Sequence, residues 1–151
     1  MGINTRMDTN NNMGVRKIYY SWDDINTALD IIHLKTKKRK FRFVTGIPRG
    51  GTILAILYSH RFGLTYLERM SPHYPDLLVL DDIADSGVAI EKVRKDNPVI
   101  KNNVATVHYK RSSTERPDFY AEAIEDDFGW IVYPWEKEDS KPIQDYLDNK
   151  K

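Results

Sequence analysis

The apolar positions along the chain fall into short runs that alternate with helical periods. Ile25, Ala28, Leu29, Ile32 and His33 recur at a helical spacing, so a first helix starts near Trp22. Ser21 is placed to cap it, with Asp24 three residues on. The cations Lys35, Lys37, Lys38, Arg39 and Lys40 close it as a solvated helix end whose charge suits the dipole. Phe41–Thr45 reads as a strand and residues 46–51 as a loop. Thr52–Phe62 reads as a helix with Ile53, Ile56, Leu57 and His60 on its apolar side, ended by Gly63. Leu64–Leu67 is a short strand, and Leu77–Leu80 is a fully apolar one. Ile83–Ser86 is a loop, followed by a helix to about Lys95. Val104–Tyr109, Tyr120–Ile124 and Trp130–Tyr133 are the remaining strands. Strands alternating with helices predict an α/β fold: a central, mainly parallel twisted sheet flanked by helices. Ligands then sit beyond the carboxyl ends of the strands, where the loops at 46–51 and 81–89 lie.

Composition narrows the class without naming a function. The chain has 151 residues, 40% apolar and 30% charged, which suits one domain with one sizeable core. The polar segment 1–14 reads as a flexible arm, and 15–151 as a single domain. A formal net charge of +1 gives no global field for nucleic acid, so no nucleic-acid partner is expected. No apolar run reaches the roughly 20 residues of a membrane span, and the N-terminus lacks a secretory pattern. The expected setting is cytoplasmic, with no membrane partner. The absence of cysteine excludes disulfides, thiolate zinc sites and thiol nucleophiles. His33, His60 and His108 have no metal-ligand spacing, and a catalytic role for His73 is not expected.

Two loops carry chemistry. In Leu77–Gly87, LLVLDDIADSG, four apolar residues are followed by Asp81 and Asp82 at the strand exit, then Asp85, then Ser86-Gly87 opening a helix. A helix N-terminus offers unpaired N–H groups and partial positive charge to a phosphate. Gly87 lets the backbone approach closely, and Ser86 adds a hydroxyl donor. Adjacent carboxylates accept from a vicinal diol or coordinate Mg²⁺ through water. The loop therefore suits a ligand with sugar hydroxyls on one side and a phosphate on the other. The second loop, Ile47-Pro48-Arg49-Gly50-Gly51, precedes a helix. Its glycines clear side chains from N–H groups, and Arg49 supplies a planar donor fork for phosphate oxygens. Neither a P-loop nor a dinucleotide fingerprint is present.

The acidic string resembles the phosphoribosyl pyrophosphate motif of type I phosphoribosyltransferases. The Arg49 loop resembles that family's pyrophosphate loop, in which the bond before the arginine is often cis. Val107-His108-Tyr109-Lys110, Pro117-Asp118-Phe119-Tyr120 and Trp130-Ile131-Val132-Tyr133-Pro134-Trp135-Glu136 resemble the base-binding segments of the small hypoxanthine, guanine or xanthine enzymes. Tyr19-Tyr20-Ser21-Trp22 resembles the segment that opens them.

The resemblance implies a purine phosphoribosyltransferase of purine salvage, with Mg²⁺ as cofactor and phosphoribosyl pyrophosphate and a purine base as partners. A homodimer or homotetramer is expected with it. Arg49, Gly50 and Gly51 would take the pyrophosphate, and Asp81 and Asp82 the ribose hydroxyls and the metal. Asp85, Ser86, Gly87, Val88 and Ala89 would wrap the 5′-phosphate. Asp85 would also manage the base proton, and Arg49 would stabilise the leaving group. Lys110 would meet the 6-oxo group, Trp130 would stack on the base, and the Ile131 backbone would read the 2-position.

Two departures follow. Ala89 lacks the hydroxyl the family usually has there, a loss of about 1.5–3 kcal/mol if unreplaced. The stretch from Leu64 to Leu77 is too short for the family's closing loop, so the expected hood is reduced. That keeps a catalytically weak regulatory protein, binding phosphoribosyl pyrophosphate or a nucleotide, as the alternative.

Overall fold

The computed structural model describes residues 6–8 and 16–138. In chain order the elements are β1 (Arg6–Asp8), β2 (Lys17–Tyr19), α1 (Trp22–Thr36), β3 (Phe43–Gly46), α2 (Gly50–Phe62), β4 (Thr65–Tyr66), β5 (Leu77–Ala84), α3 (Val88–Asp96), β6 (Val104–Lys110), β7 (Phe119–Ile124) and β8 (Trp130–Val132). Five strands form an all-parallel sheet in the order β4-β3-β5-β6-β7. A second, three-stranded sheet has the order β1-β2-β8.

Alternation along the central strands builds a core on each face. Val44, Leu78, Leu80, Ala105 and Val107 face α1 and α2. Leu77, Val79 and Val104 face α3 with Ile90, Val93 and Ile100. The capping box at α1 is present: the Ser21 hydroxyl accepts the Asp24 N–H at 3.0 Å, and the Asp24 carboxylate accepts the Ser21 N–H at 2.9 Å. Gly63 ends α2 in the left-handed conformation at φ 76°.

Four readings of the sequence need correction. The buried side of α2 is Gly50, Gly51, Leu54, Ala55 and Tyr58, whereas Ile56 and His60 are exposed. Gly50 and Gly51 let the helix start close to β5, so the buried face runs from them through Leu54, Ala55 and Tyr58. Strand β5 runs on to Ala84 because β6 keeps pairing with it through Ile83↔His108 and Ala84↔Tyr109. Asp81 and Asp82 therefore lie within the strand. Trp130–Val132 is not part of the central sheet. It pairs in parallel with β2, a strand that periodicity did not reveal in three residues. Within the expected arm, Arg6–Asp8 forms a strand antiparallel to β2. The rest of the arm and the tail from residue 139, with its apolar Ile143, Tyr146 and Leu147, lie outside the described residues.

The reduced hood has a geometric origin. Tyr66, the last residue of β4, is level with Val44, and Val44 is level with Leu78 near the start of β5. The chain thus leaves β4 before reaching the carboxyl edge of the sheet. Leu67, Met70 and Tyr74 pack instead onto the core under α3, with the Tyr74 ring 4.7 Å from Phe43.

Candidate active site

The site begins where β5 loses one neighbour. Its pairing with β3 ends at Gly46↔Leu80, after which Ile47 donates a last hydrogen bond to the Leu80 carbonyl at 2.9 Å and the chain turns away. From Asp81 onward β5 is paired on the β6 side. The strand order diverges between β3 and β5, the switch point where open α/β sheets bind ligands.

A cleft of about 670 Å³ opens there. Arg49 and Gly50 line one side and Asp85, Ser86, Gly87 and Ala89 another, with Asp81 and Asp82 between them. Lys110, Trp130 and Ile131 also line it. Gly51 and Val88, two residues expected at the ligand, do not. Gly51 is buried against β5, where a Cβ would run into the Leu80 carbonyl, and Val88 is exposed at the start of α3.

The Pro48–Arg49 bond is cis, and Arg49 is exposed just ahead of α2. Gly50 touches the acidic pair directly, since a Cβ there would collide with the Asp82 carboxylate. Asp81 is buried and Asp82 half-buried. The Asp81 carboxylate accepts the Asp82 N–H, and the Asp82 carboxylate accepts the Ile83 N–H, both at 2.8 Å. Burial pushes the Asp81 carboxyl well up, and the neighbouring Asp82 charge pushes it further. Burial also raises Asp82. Two adjoining carboxylates held this way form an oxygen-only donor set. Among the described residues, no cluster of three or more metal-ligating side chains exists. The pair thus fits a hard ion such as Mg²⁺ that takes its other ligands from a bound substrate and water.

Helix α3 opens at Gly87 without a side-chain cap. Gly87 has φ 94°, and a Cβ would meet Thr114 Oγ1 at 2.5 Å and the Glu115 nitrogen at 2.6 Å, so glycine is required twice over. On the far side, the Lys110 ammonium donates to Asp85 at 3.0 Å. Trp130 presents an exposed ring to the cleft.

Several functional neighbours escaped the sequence reading. Tyr133, Trp135 and Glu136 line the cleft. The Trp135 ring stacks on Tyr133 at 5.1 Å and packs beside Gly50. Burial raises the Glu136 carboxyl, opposed by the Tyr133 N–H that it accepts at 3.0 Å. Behind the acidic strand, His108 is fully buried. Its Nδ1 is 2.9 Å from the Tyr133 hydroxyl and its Nε2 is 2.7 Å from the Tyr20 hydroxyl. Tyr133 also donates to the Asp82 carbonyl at 3.3 Å, and Tyr20 donates to Glu122 at 3.0 Å. Their signal in the sequence is the aromatic residues of 19–22 and 130–136, which converge on His108 in one network.

In fold and in its two loop motifs the chain is similar to the type I phosphoribosyltransferases. No family model matches it. Its sequence relatives include the xanthine-guanine phosphoribosyltransferase of Cereibacter sphaeroides, 28% identical over 119 residues that cover 64% of this chain and 70% of the relative. The enzyme of the same name from Gluconobacter oxydans is 26% identical over 141 residues, 77% of this chain and 82% of that one. Among solved structures, the Helicobacter pylori xanthine-guanine-hypoxanthine phosphoribosyltransferase shares the fold at a TM-score of 0.66 and 19% identity, covering 90% of this chain and 97% of that one.

Proposed function

We propose that this protein is a purine phosphoribosyltransferase of purine salvage. It converts guanine, xanthine or hypoxanthine and phosphoribosyl pyrophosphate to the nucleoside 5′-monophosphate and pyrophosphate. The observation that carries the reading is that both phosphate-type loops and the base-type residues line one cleft. The names of its relatives support the purine branch. We assign it to the cytoplasm as a homodimer or homotetramer. Among the described residues, no helix is long and apolar enough to cross a membrane.

In the reaction the bond from ribose C1 to pyrophosphate breaks, a purine nitrogen bonds to C1, and positive charge builds on the ring. The Arg49 guanidinium holds the departing diphosphate oxygens in its donor fork. Asp81 and Asp82 would hold a Mg²⁺ ion, which would supply charge neutralisation to that leaving group. The same two carboxylates accept from the ribose hydroxyls and favour the cationic ring. The N–H groups of the loop from Asp85 to Ala89 bind the 5′-phosphate at the start of α3. Asp85 takes the purine N7 proton as general base. Its contact with Lys110 keeps acid and ammonium together, with Lys110 donating to the 6-oxo group. Trp130 stacks on the base, and the Ile131 main chain meets the 2-position.

The test is to mix the protein with Mg²⁺, phosphoribosyl pyrophosphate and each of the three bases, then assay the mononucleotide. Product with at least one base is expected. Saturable binding with no product would overturn the enzyme reading in favour of a regulatory binding protein.

A further inference from the structure

The loop after β6 spans residues 111–118, of which 111–116 lie outside every motif discussed so far, and it grips the phosphate loop from behind. Thr114 makes two hydrogen bonds to one acceptor: its N–H and its hydroxyl both donate to the Ser86 carbonyl, at 3.1 and 2.8 Å. Gly87 is pressed against this loop so closely that any side chain would strike Thr114 or the Glu115 backbone. The grip is braced. Arg94 of α3 donates to the Arg116 carbonyl at 2.9 Å and to Asp118 at 3.0 Å, and Asp118 accepts the Val104 N–H at 3.0 Å. The loop is thereby tied both to the helix that starts at the phosphate loop and to the strand beside it.

A peptide unit is planar and trans, so its C=O and N–H point in opposite directions. Fixing the Ser86 carbonyl toward Thr114 turns the N–H of Gly87 the other way, and Ser86 and Gly87 both line the cleft. We infer that Thr114 is a positioning residue for the phosphate loop: its paired bonds to the Ser86 carbonyl aim the Gly87 N–H at the 5′-phosphate of the ligand. The inference rests on the proposed function for the identity of that ligand. Backbone aim matters more here than usual, because Ala89 brings no hydroxyl and the loop grips mainly through N–H groups. Thr114 itself touches no substrate.

Isothermal titration with ribose 5-phosphate and, separately, with pyrophosphate tests it. The Thr114→Val variant keeps the main-chain bond and loses the hydroxyl bond. It should bind ribose 5-phosphate roughly two- to tenfold more weakly, the range of one net hydrogen bond. Pyrophosphate, held at the Arg49 loop, should bind as in wild type. Thr114→Ser should restore wild-type affinity, and Thr114→Ala should reproduce the split shown by the valine variant should the latter fold poorly. Equal ribose 5-phosphate affinity in wild type and Thr114→Val would overturn the inference. So would equal weakening of both ligands, the mark of a general structural defect. Wild type binding neither probe would remove the proposed function and this role with it, which sets that failure apart from failure of Thr114 alone.

Discussion

Replacing Tyr133 by phenylalanine tests whether the buried aromatic network supports the acidic strand. Tyr133 is 3% exposed and His108 is fully buried, so water cannot replace a lost partner. The substitution deletes the hydroxyl that donates to the Asp82 carbonyl and contacts His108 Nδ1. A buried ring nitrogen and a partly buried carbonyl each lose a partner, a cost of about 1–3 kcal/mol. For a chain of this length each kcal/mol lowers Tm by about 2–4 °C, so the variant should melt roughly 3–10 °C below wild type. Tyr20→Phe removes the partner on the other ring nitrogen, 2.7 Å away. Each hydroxyl carries one proton, so a tyrosine that donates to Asp82 or Glu122 accepts from the His108 ring, which links the three side chains in one hydrogen-bonded unit. Urea unfolding of both single variants and the double variant should give a coupling energy of about 0.5–3 kcal/mol. Additive losses, or a Tyr133→Phe variant as stable as wild type, would refute the network as a structural unit.

Three further outcomes follow from the site. Asp82→Asn should stabilise the protein at neutral pH while abolishing phosphoribosyl pyrophosphate binding: burial raises this carboxyl in the fold, the native state binds more protons than the unfolded chain, and stability falls as pH rises through the raised pKa. Urea titrations from pH 4 to 8 should show that fall flattened in the variant, and an unchanged slope would contradict it. Gly51→Ala drives a Cβ into the Leu80 carbonyl, a backbone group that cannot swing aside. Overpacking of about 3 kcal/mol outweighs the ~1 kcal/mol gain in helix propensity, so net destabilisation near 2 kcal/mol is expected in urea, and equal stability would count against the packing account. Asp85→Asn should cut turnover while leaving phosphoribosyl pyrophosphate affinity intact; unchanged turnover would remove Asp85 from the proton step.

What the sequence made legible was local. The four apolar residues of Leu77–Leu80 announce a buried strand whatever surrounds them, and Ser21 with Asp24 announces a helix start. The loops were readable because glycine, arginine and aspartate are rarely combined for packing alone. Long-range pairing was harder. That β5 extends past its acids depends on β6 lying alongside, which no window of eleven residues contains. Strand β2 has three residues, too few for a period, and forms because β8 lies beside it from more than a hundred residues away. His108 read as an ordinary strand histidine because its partners, Tyr20 and Tyr133, lie 88 and 25 residues off. Thr114 carried no signal, since its importance lies in which carbonyl it meets.

These long-range features share one cause. The acids are available to a ligand because β3 stops at Gly46, leaving β5 to run on with one edge bare. A bare strand edge with two raised carboxyls is costly, and the fold offsets the cost from the opposite side: β6 pairs through Tyr109, and Tyr133 holds the Asp82 carbonyl. The same early stop governs the hood. Because β4 ends level with Val44, the chain crosses to β5 below the carboxyl edge, and among the described residues none from 64 to 76 lines the cleft. The walls around the site come instead from β8 and the segment that follows it, through Trp130, Tyr133 and Trp135. Behind the cleft, Thr114 holds the Ser86 carbonyl. Shortening one crossover thus moves the task of shaping the site from a closing loop to rigid neighbours, and β8 with the segment that follows it is where the geometry of the cleft is set.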